Sequence, residues 1–208
     1  MRELDLVLID PKRELCAAFQ ERFAGLPRVE IVCGRFEQLP AFDCMVSAAN
    51  SFGLMDGGVD AAITQFFGYA LQDRVQRRIL EEFLGEQPVG TSLIVETRHP
   101  RHPFVAHTPT MRVPMHIAHT DHAYVAMWAM LLAVRRHNLT SATPIGIVAC
   151  PGLGTATGRV PFREAARQMA LAYEHFLKPP SVLDWDLAGR RQSAVRYGGD
   201  LGFMLPGD

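Results

Sequence analysis

Apolar residues in this chain come in short blocks separated by polar breaks, and the blocks switch between two spacings. Leu4 to Ile9 is a short apolar run closed by Asp10-Pro11, which predicts a buried strand. Residues 12–24 then place Leu15, Ala18, Phe19 and Phe23 on one helical face, with Gly25 as the stop. Val29 to Cys33 and Asp43 to Ala49 predict two more strands, the latter running straight into Asn50. After the loop SFGLMDGG, a long helical pattern covers about Val59 to Phe83, with Gly68 as a kink or break and Gly85 and Pro88 as its end. Thr91 to Glu96 and Phe104 to Thr108 predict strands, and the Pro- and His-rich stretch 100–119 predicts loop. Thr120 or Asp121 is placed to N-cap a helix reaching about His137. Pro144 to Cys150 predicts a strand, PGLGTATG a second Gly-rich loop, and a last helix starts near Pro161 and runs to about Leu177.

Strands and helices alternate, which predicts a mostly parallel sheet with helices on both faces. Such sheets bind ligands beyond the carboxyl ends of their strands, where both Gly-rich loops fall. No internal repeat is present. Residues 179–208 lose periodicity and are set apart as a C-terminal extension, either packed on the domain or loose, from a domain spanning 1–178.

Composition narrows the classes. The chain has 208 residues, suited to one domain with or without an extension, and 48% are hydrophobic, enough for a packed core. With 21 Lys+Arg against 22 Asp+Glu, the net charge is -1 and argues against strong general nucleic-acid binding. Acids interrupt the N-terminal MRELDLVLID too early for a secretory signal, and the apolar run Ala123 to Val134 is too short to span a bilayer. A soluble, cytoplasmic chain without membrane contact is expected. Cys16, Cys33, Cys44 and Cys150 form no C-x-x-C pair, and the last three sit in apolar segments as reduced, buried thiols.

The second loop holds Gly152, Gly154 and Gly158 between a strand and a helix, with hydroxyls at Thr155 and Thr157. Glycines let backbone N–H groups turn onto an anion, and the adjoining helix N-terminus favours negative charge. No G-K-[ST] ending follows, so nucleotide hydrolysis of the P-loop kind is disfavoured. The first loop reads AANSFGLMDGGVDAAI over residues 48–63. Asn50 ends a strand at the ligand edge, Gly57 and Gly58 bring backbone close, and Val59 to Ala62 open a helix whose N–H groups suit a second phosphate. Two phosphate-ready helix starts at one edge suggest a diphosphate ligand.

Ala48-Ala49-Asn50, a short Gly-containing loop and then Gly57-Gly58-Val59-Asp60-Ala61-Ala62-Ile63 resemble the ADP-ribose loop of macrodomains. Cys150-Pro151-Gly152-Leu153-Gly154-Thr155, Gly158 and a helix carrying Glu164-Ala165-Ala166 resemble that family's second, phosphate-gripping loop. The resemblance covers roughly residues 4–178. It implies a three-layer α/β/α fold with a mixed, mostly parallel sheet, and ADP-ribose or an ADP-ribosylated substrate as partner, with no cofactor and no metal. It implies that Asn50 hydrogen-bonds the distal ribose and that Asp60, ten positions on, positions or activates a water. The implied catalytic pair is Asn50 and Asp60. The implied binding set adds Arg35, Phe36, Ala49, Gly57, Gly58, Val59, Gly152, Gly154, Thr155, Ala156, Thr157 and Gly158. The activity implied is mono-ADP-ribosyl hydrolysis or deacetylation of O-acetyl-ADP-ribose, the alternative being a reader without chemistry; a phosphate-binding domain for another ligand is the remaining class. An acid in a first helical turn is stabilised as its anion, so Asp60 is expected to be ionised and better at orienting water than at strong base work.

Two departures stand beside the resemblance. The adenine-binding Gly-Asp-Ile/Val-Thr stretch is matched by Gly34-Arg35-Phe36-Glu37, and Arg35 accepts no hydrogen bond. Stacking of its guanidinium on adenine, or an acceptor from Glu37, are the substitutes. The second loop lacks the late aromatic of many hydrolases, leaving Phe52 or Phe162 to approach from elsewhere. Tandem glutamates for polymer cleavage are absent. His116, His119 and His122 read as loop and cap positions rather than a zinc site, Cys150 as an inert strand thiol although the dipole there favours a thiolate, and Leu8-Ile9-Asp10 lacks the acidic pair of a receiver domain.

Overall fold

The computed structural model describes residues 4–195. The strands are β1 (Asp5–Asp10), β2 (Val29–Cys33), β3 (Cys44–Asn50), β4 (Leu93–Glu96), β5 (Phe104–Met111) and β6 (Ile147–Cys150). The helices are α1 (Arg13–Arg22), α2 (Gly58–Phe67), α3 (Ala70–Phe83), α4 (His122–Thr140), α5 (Phe162–Leu177) and α6 (Trp185–Val195). One sheet runs in the order β2-β1-β6-β3-β5-β4, parallel throughout except for the antiparallel β4–β5 pair.

The central strands are apolar at successive positions because both faces are covered. Leu6, Leu8, Cys44, Val46, Phe104, Ala106, Val148 and Cys150 pack under α1, α4 and α5. The intervening residues Met45, Val105 and Ala149 point to the other face, against Ile63 of α2 and Leu71, Val75 and Ile79 of α3. The period of two along each strand thus feeds two cores, giving the three layers the resemblance implied. Among the described residues, no helix is long and apolar enough to cross a membrane.

The helix expected over 59–83 is two helices. Gly68 has φ +89°, outside the helical region, and resets the chain direction. The stretch expected as loop over 100–119 contains the whole of β5, which continues to Met111 with every residue buried; its register with β3 overrides the loop signal of Pro109. At the start of α4, Asp121 occupies the N-cap position without a side-chain bond, and Thr120 Oγ1 accepts the His122 N–H at 3.3 Å instead. Cys33, expected buried, is exposed because β2 is an edge strand. Within the extension, residues 185–195 form α6. Arg167 of α5 donates to the carbonyls of Ala194 (2.6 Å) and Val195 (3.2 Å) and also to the Glu164 carboxylate. The remainder of the extension, 196–208, lies outside the described residues.

Candidate functional site

Strands β3 and β6 lie side by side in the sheet, with Cys44 opposite Val148 and Met45 opposite Ala149. Their carboxyl ends therefore deliver the loop after Asn50 and the loop after Cys150 to one edge, although about a hundred residues separate them in the chain. Between them opens a cleft of about 500 Å³, within the range of roughly 300–1,000 Å³ that small-ligand sites occupy. Every residue implied above for binding or catalysis lines it.

The first loop is built by its own side chains. Asn50 Oδ1 accepts from the N–H groups of Phe52 (3.1 Å) and Leu54 (3.3 Å), and its Nδ2 donates to the Leu54 carbonyl at 2.7 Å. One hydrogen of that amide is committed to the turn, and the group carries a second. Gln72 Oε1 accepts from Met55 N, and Thr64 Oγ1 donates to Met55 O, which pins the loop to α2 and α3. Gly58 has φ +55°, a conformation that turns the chain into the first turn of α2.

In α2 the buried positions are Asp60, Ile63 and Thr64. That spacing is the core-facing stripe of an amphipathic helix, so the same geometry that seats Ile63 carries the Asp60 carboxyl inward. Asp60 is 5% exposed, and its Oδ1 accepts a hydrogen bond from Ser47 Oγ at 2.6 Å. Burial raises its pKa to about 6, the Ser47 hydroxyl pulls the other way, and the nearby Asp56 charge raises it further. The carboxyl is still mostly ionised at pH 7, as its position implied, but its pKa is raised and not lowered. Desolvation outweighs the favourable helix dipole, and the carboxyl is tuned towards proton acceptance near neutral pH.

The second loop is held by close backbone approach. A Cβ at Gly158 would lie 2.5 Å from Gly154 O and 2.7 Å from Ile117 Cγ1, so only glycine fits. Gly158 O accepts from Ile117 N at 2.8 Å, and Gly154 O from Val160 N at 3.0 Å. Thr155 Oγ1 is turned back onto Gly152 O at 3.1 Å, which takes one of the two hydroxyls read as phosphate donors into the loop itself.

At the other end of the cleft, Arg35 and Glu37 pair at 3.4 Å with side chains 66% and 26% exposed, beside the buried Phe36. Neither Phe52 nor Phe162 is among the lining residues. Phe162 instead lies under Lys12, whose Nζ is 5.3 Å from its ring centroid. Cys150 is fully buried and its thiol pKa is raised well above the usual range, which removes the thiolate suggested by its place at a strand end. Among the described residues, no group of three or more His, Cys, Asp or Glu side chains could hold a metal ion. His122 Nδ1 bonds the carbonyl of Thr110 instead.

Sequence reasoning missed three parts of the site. Asp10, Pro11 and Lys12 line the cleft because β1 is the other neighbour of β6. Thr110, Met111 and Pro114 line it because β5 extends alongside β3. Ser47 reaches Asp60 from β3; its signal was a lone hydroxyl in an apolar strand three residues before Asn50.

Residues 46–169 match the family model described as Macro domain. An uncharacterized protein of Aquifex aeolicus is 32% identical over 141 residues, covering 68% of this chain and 78% of its own. Another, of Aeropyrum pernix, is 29% identical over 130 residues, covering 62% of each. Among solved structures, an Oceanobacillus iheyensis macrodomain mutant with ADPR superposes with a TM-score of 0.58 at 24% identity, over 72% of this chain and 77% of that one. The macrodomain of Mycobacterium tuberculosis DarG superposes with a TM-score of 0.57 at 16% identity, over 68% and 87% respectively.

Proposed function

This chain belongs to the Macro domain family, and from that premise we propose that it binds ADP-ribose and hydrolyses a single ADP-ribosyl linkage, as a mono-ADP-ribosyl hydrolase or an O-acetyl-ADP-ribose deacetylase. The observation that carries the reading is the cleft itself: two Gly-rich loops, each next to a helix N-terminus, flank a wall that contains both Asn50 and the buried carboxyl of Asp60. Backbone N–H groups of Gly58 to Asp60, ahead of the first intrahelical donor at Ala61, face one phosphate and those of Gly154 to Gly158 the other. Asn50 offers its second amide hydrogen to the distal ribose. The ADPR named in the structure of the Oceanobacillus iheyensis relative fits this assignment.

Asp60 orients a water and accepts its proton as the oxygen attacks. The linkage to the carried group breaks, hydroxyl joins one product, and the proton passes to the leaving group or solvent. A carboxyl with a pKa near 6 is mostly ionised at pH 7 yet basic enough to share the proton in the transition state. The experiment is calorimetric titration of ADP-ribose, with AMP and ribose 5-phosphate as controls, followed by turnover of O-acetyl-ADP-ribose and of a mono-ADP-ribosylated protein. Saturable one-to-one binding and turnover that Asp60→Ala abolishes are the expected results. Unchanged turnover in that variant removes Asp60 from the chemistry, and no binding at millimolar ADP-ribose overturns the whole reading.

A reader without chemistry is favoured by one observation: no aromatic residue of the second loop lines the cleft, and neither Phe52 nor Phe162 replaces it. Tight ADP-ribose binding without turnover of either substrate selects that alternative.

A further inference from the structure

Ser47 stands in a strand segment with no other need of a hydroxyl. Its neighbours Cys44, Met45 and Val46 are completely buried and apolar, and Ser47 itself has no exposed surface. A hydroxyl taken from water into such surroundings is unfavourable unless it is hydrogen-bonded. Its single proton goes to Asp60 Oδ1 at 2.6 Å, a short bond of the charge-assisted kind. At Ser47 the strand is paired with β5, opposite His107, and two residues earlier, at Met45, with β6 as well, so the donor position is set by the sheet and not by the loop.

The surroundings of Asp60 make this donor matter. Asp56, in the preceding loop, is a like charge. His107, the register partner of Ser47 on β5, is fully buried, and burial keeps it neutral. Thr64, one turn along α2, spends its hydroxyl on the carbonyls of Met55, Asp60 and Ala61 and not on the carboxyl. Gln72, from α3, is occupied with Met55 N. Among the described residues, burial, the Ser47 hydroxyl and the Asp56 charge are what act on Asp60, and none of these is a cation. The hydroxyl of Ser47 is therefore the favourable contact that opposes burial and the Asp56 charge.

We propose that Ser47 is a positioning residue for hydrolysis: its hydroxyl, anchored in β3, fixes the Asp60 carboxylate in the orientation that meets the attacking water. The catalytic half of this inference rests on the hydrolase reading above. The coupling of Ser47 to Asp60 does not. The water that loses its proton to Asp60 needs a carboxylate held in one plane, and a two-residue link from sheet to helix N-terminus supplies that without touching the substrate.

The test uses the full chain as wild type, Ser47→Ala and Ser47→Thr. Carbon-13 NMR follows the titration of the Asp60 carboxyl, and the pH profile of kcat is measured on O-acetyl-ADP-ribose alongside calorimetric affinity for ADP-ribose. In Ser47→Ala the Asp60 midpoint is expected to rise by about one pH unit, as loss of a hydrogen bond to the charged form dictates. The acid limb of kcat moves up with it, while the ADP-ribose Kd changes by less than about threefold, because the hydroxyl does not contact ligand. Ser47→Thr, which keeps the donor, restores both values. An unshifted Asp60 titration in Ser47→Ala overturns the proposal, as does an activity loss equal at every pH and not recovered by Thr. A wild type that binds ADP-ribose but turns nothing over overturns the hydrolase reading and the catalytic half of the proposal. The NMR titration still decides the Ser47–Asp60 coupling in that case.

Discussion

Ser47 on β3 and His107 on β5 are register partners with no exposed surface, and each holds a buried titratable environment in place: Ser47 donates to Asp60 at 2.6 Å, and His107 Nδ1 lies 2.7 Å from Gln87 Oε1. Gln87 Nε2 donates to the His107 carbonyl, so its Oε1 is the acceptor and the proton sits on His107 Nδ1. The deep end of the α2–α3 core thus contains one acid whose pKa is raised and one base whose pKa is lowered.

Asp60 is stored at a thermodynamic cost. Its folded value of about 6 lies above the ordinary 3.8. As pH rises from about 4 to 6 the unfolded chain gives up this proton before the folded one, so folding stability falls, and above pH 6 the full cost applies. Asp60→Asn keeps an acceptor for Ser47 and removes the charge. It is expected to gain on the order of 2–3 kcal/mol at pH 7.5, a gain that disappears by pH 3.5, while turnover is lost. Urea unfolding at the two pH values checks this. Equal stability changes at both would contradict a buried carboxylate.

For His107 the slope has the opposite sign. Burial lowers its pKa to about 3 from 6.5, so below pH 6.5 the unfolded chain gains a proton that the folded chain refuses. Wild type is expected to lose about 2 kcal/mol from this residue by pH 5. His107→Asn keeps a donor near the Nδ1 position. It is less stable than wild type at pH 8 from lost packing, yet its stability falls less between pH 7 and 5. Between about pH 4 and 6 the Asp60 and His107 slopes offset one another, so wild-type stability is flatter there than that of Asp60→Asn.

The glycines of the two loops are expected to separate folding from binding. Gly158→Ala forces a Cβ to 2.5 Å from Gly154 O and should lower Tm while weakening ADP-ribose by at least about tenfold, because the phosphate loop must open. Gly57 has φ −135°, ordinary extended backbone, and a Cβ there meets nothing within 4 Å. Gly57→Ala should leave Tm unchanged, since changes away from strain are near neutral, while weakening ADP-ribose, because the added Cβ lies in the cleft wall where the first loop brings its backbone to the ligand. Thermal shift with and without ligand distinguishes them.

Arg35 is expected to act on the base and not on the phosphates. Its exposed pairing with Glu37 is worth at most about 1 kcal/mol, so the guanidinium is able to leave it for an adenine face. Arg35→Ala should weaken AMP and ADP-ribose by the same factor and leave ribose 5-phosphate untouched. Equal loss for all three ligands would place the residue at the phosphate instead.

The sequence by itself determined the order of strands and helices as far as α5, apart from the break at Gly68, the alternation that makes the sheet mostly parallel, and both ligand loops, because these are written locally: the unbroken apolar run of β3, turn glycines at 57, 58, 152, 154 and 158, and a helix start after each loop. Gly68 marked a break, but whether it kinks or ends a helix depends on φ, which the sequence does not carry. Only the tertiary structure decided that the two loops share one cleft, because adjacency of β3 and β6 is a long-range pairing with no local signature. The pairings of β1 with β6 and of β5 with β3 brought Lys12 and Thr110 into the wall. Tertiary burial also changed the balance at Asp60, raising its pKa to about 6 while leaving it mostly ionised at pH 7. Helix position favours the anion, a local effect legible from the chain. Burial beneath the loop and the hydroxyl of Ser47, thirteen residues away, set the balance that holds in the folded protein.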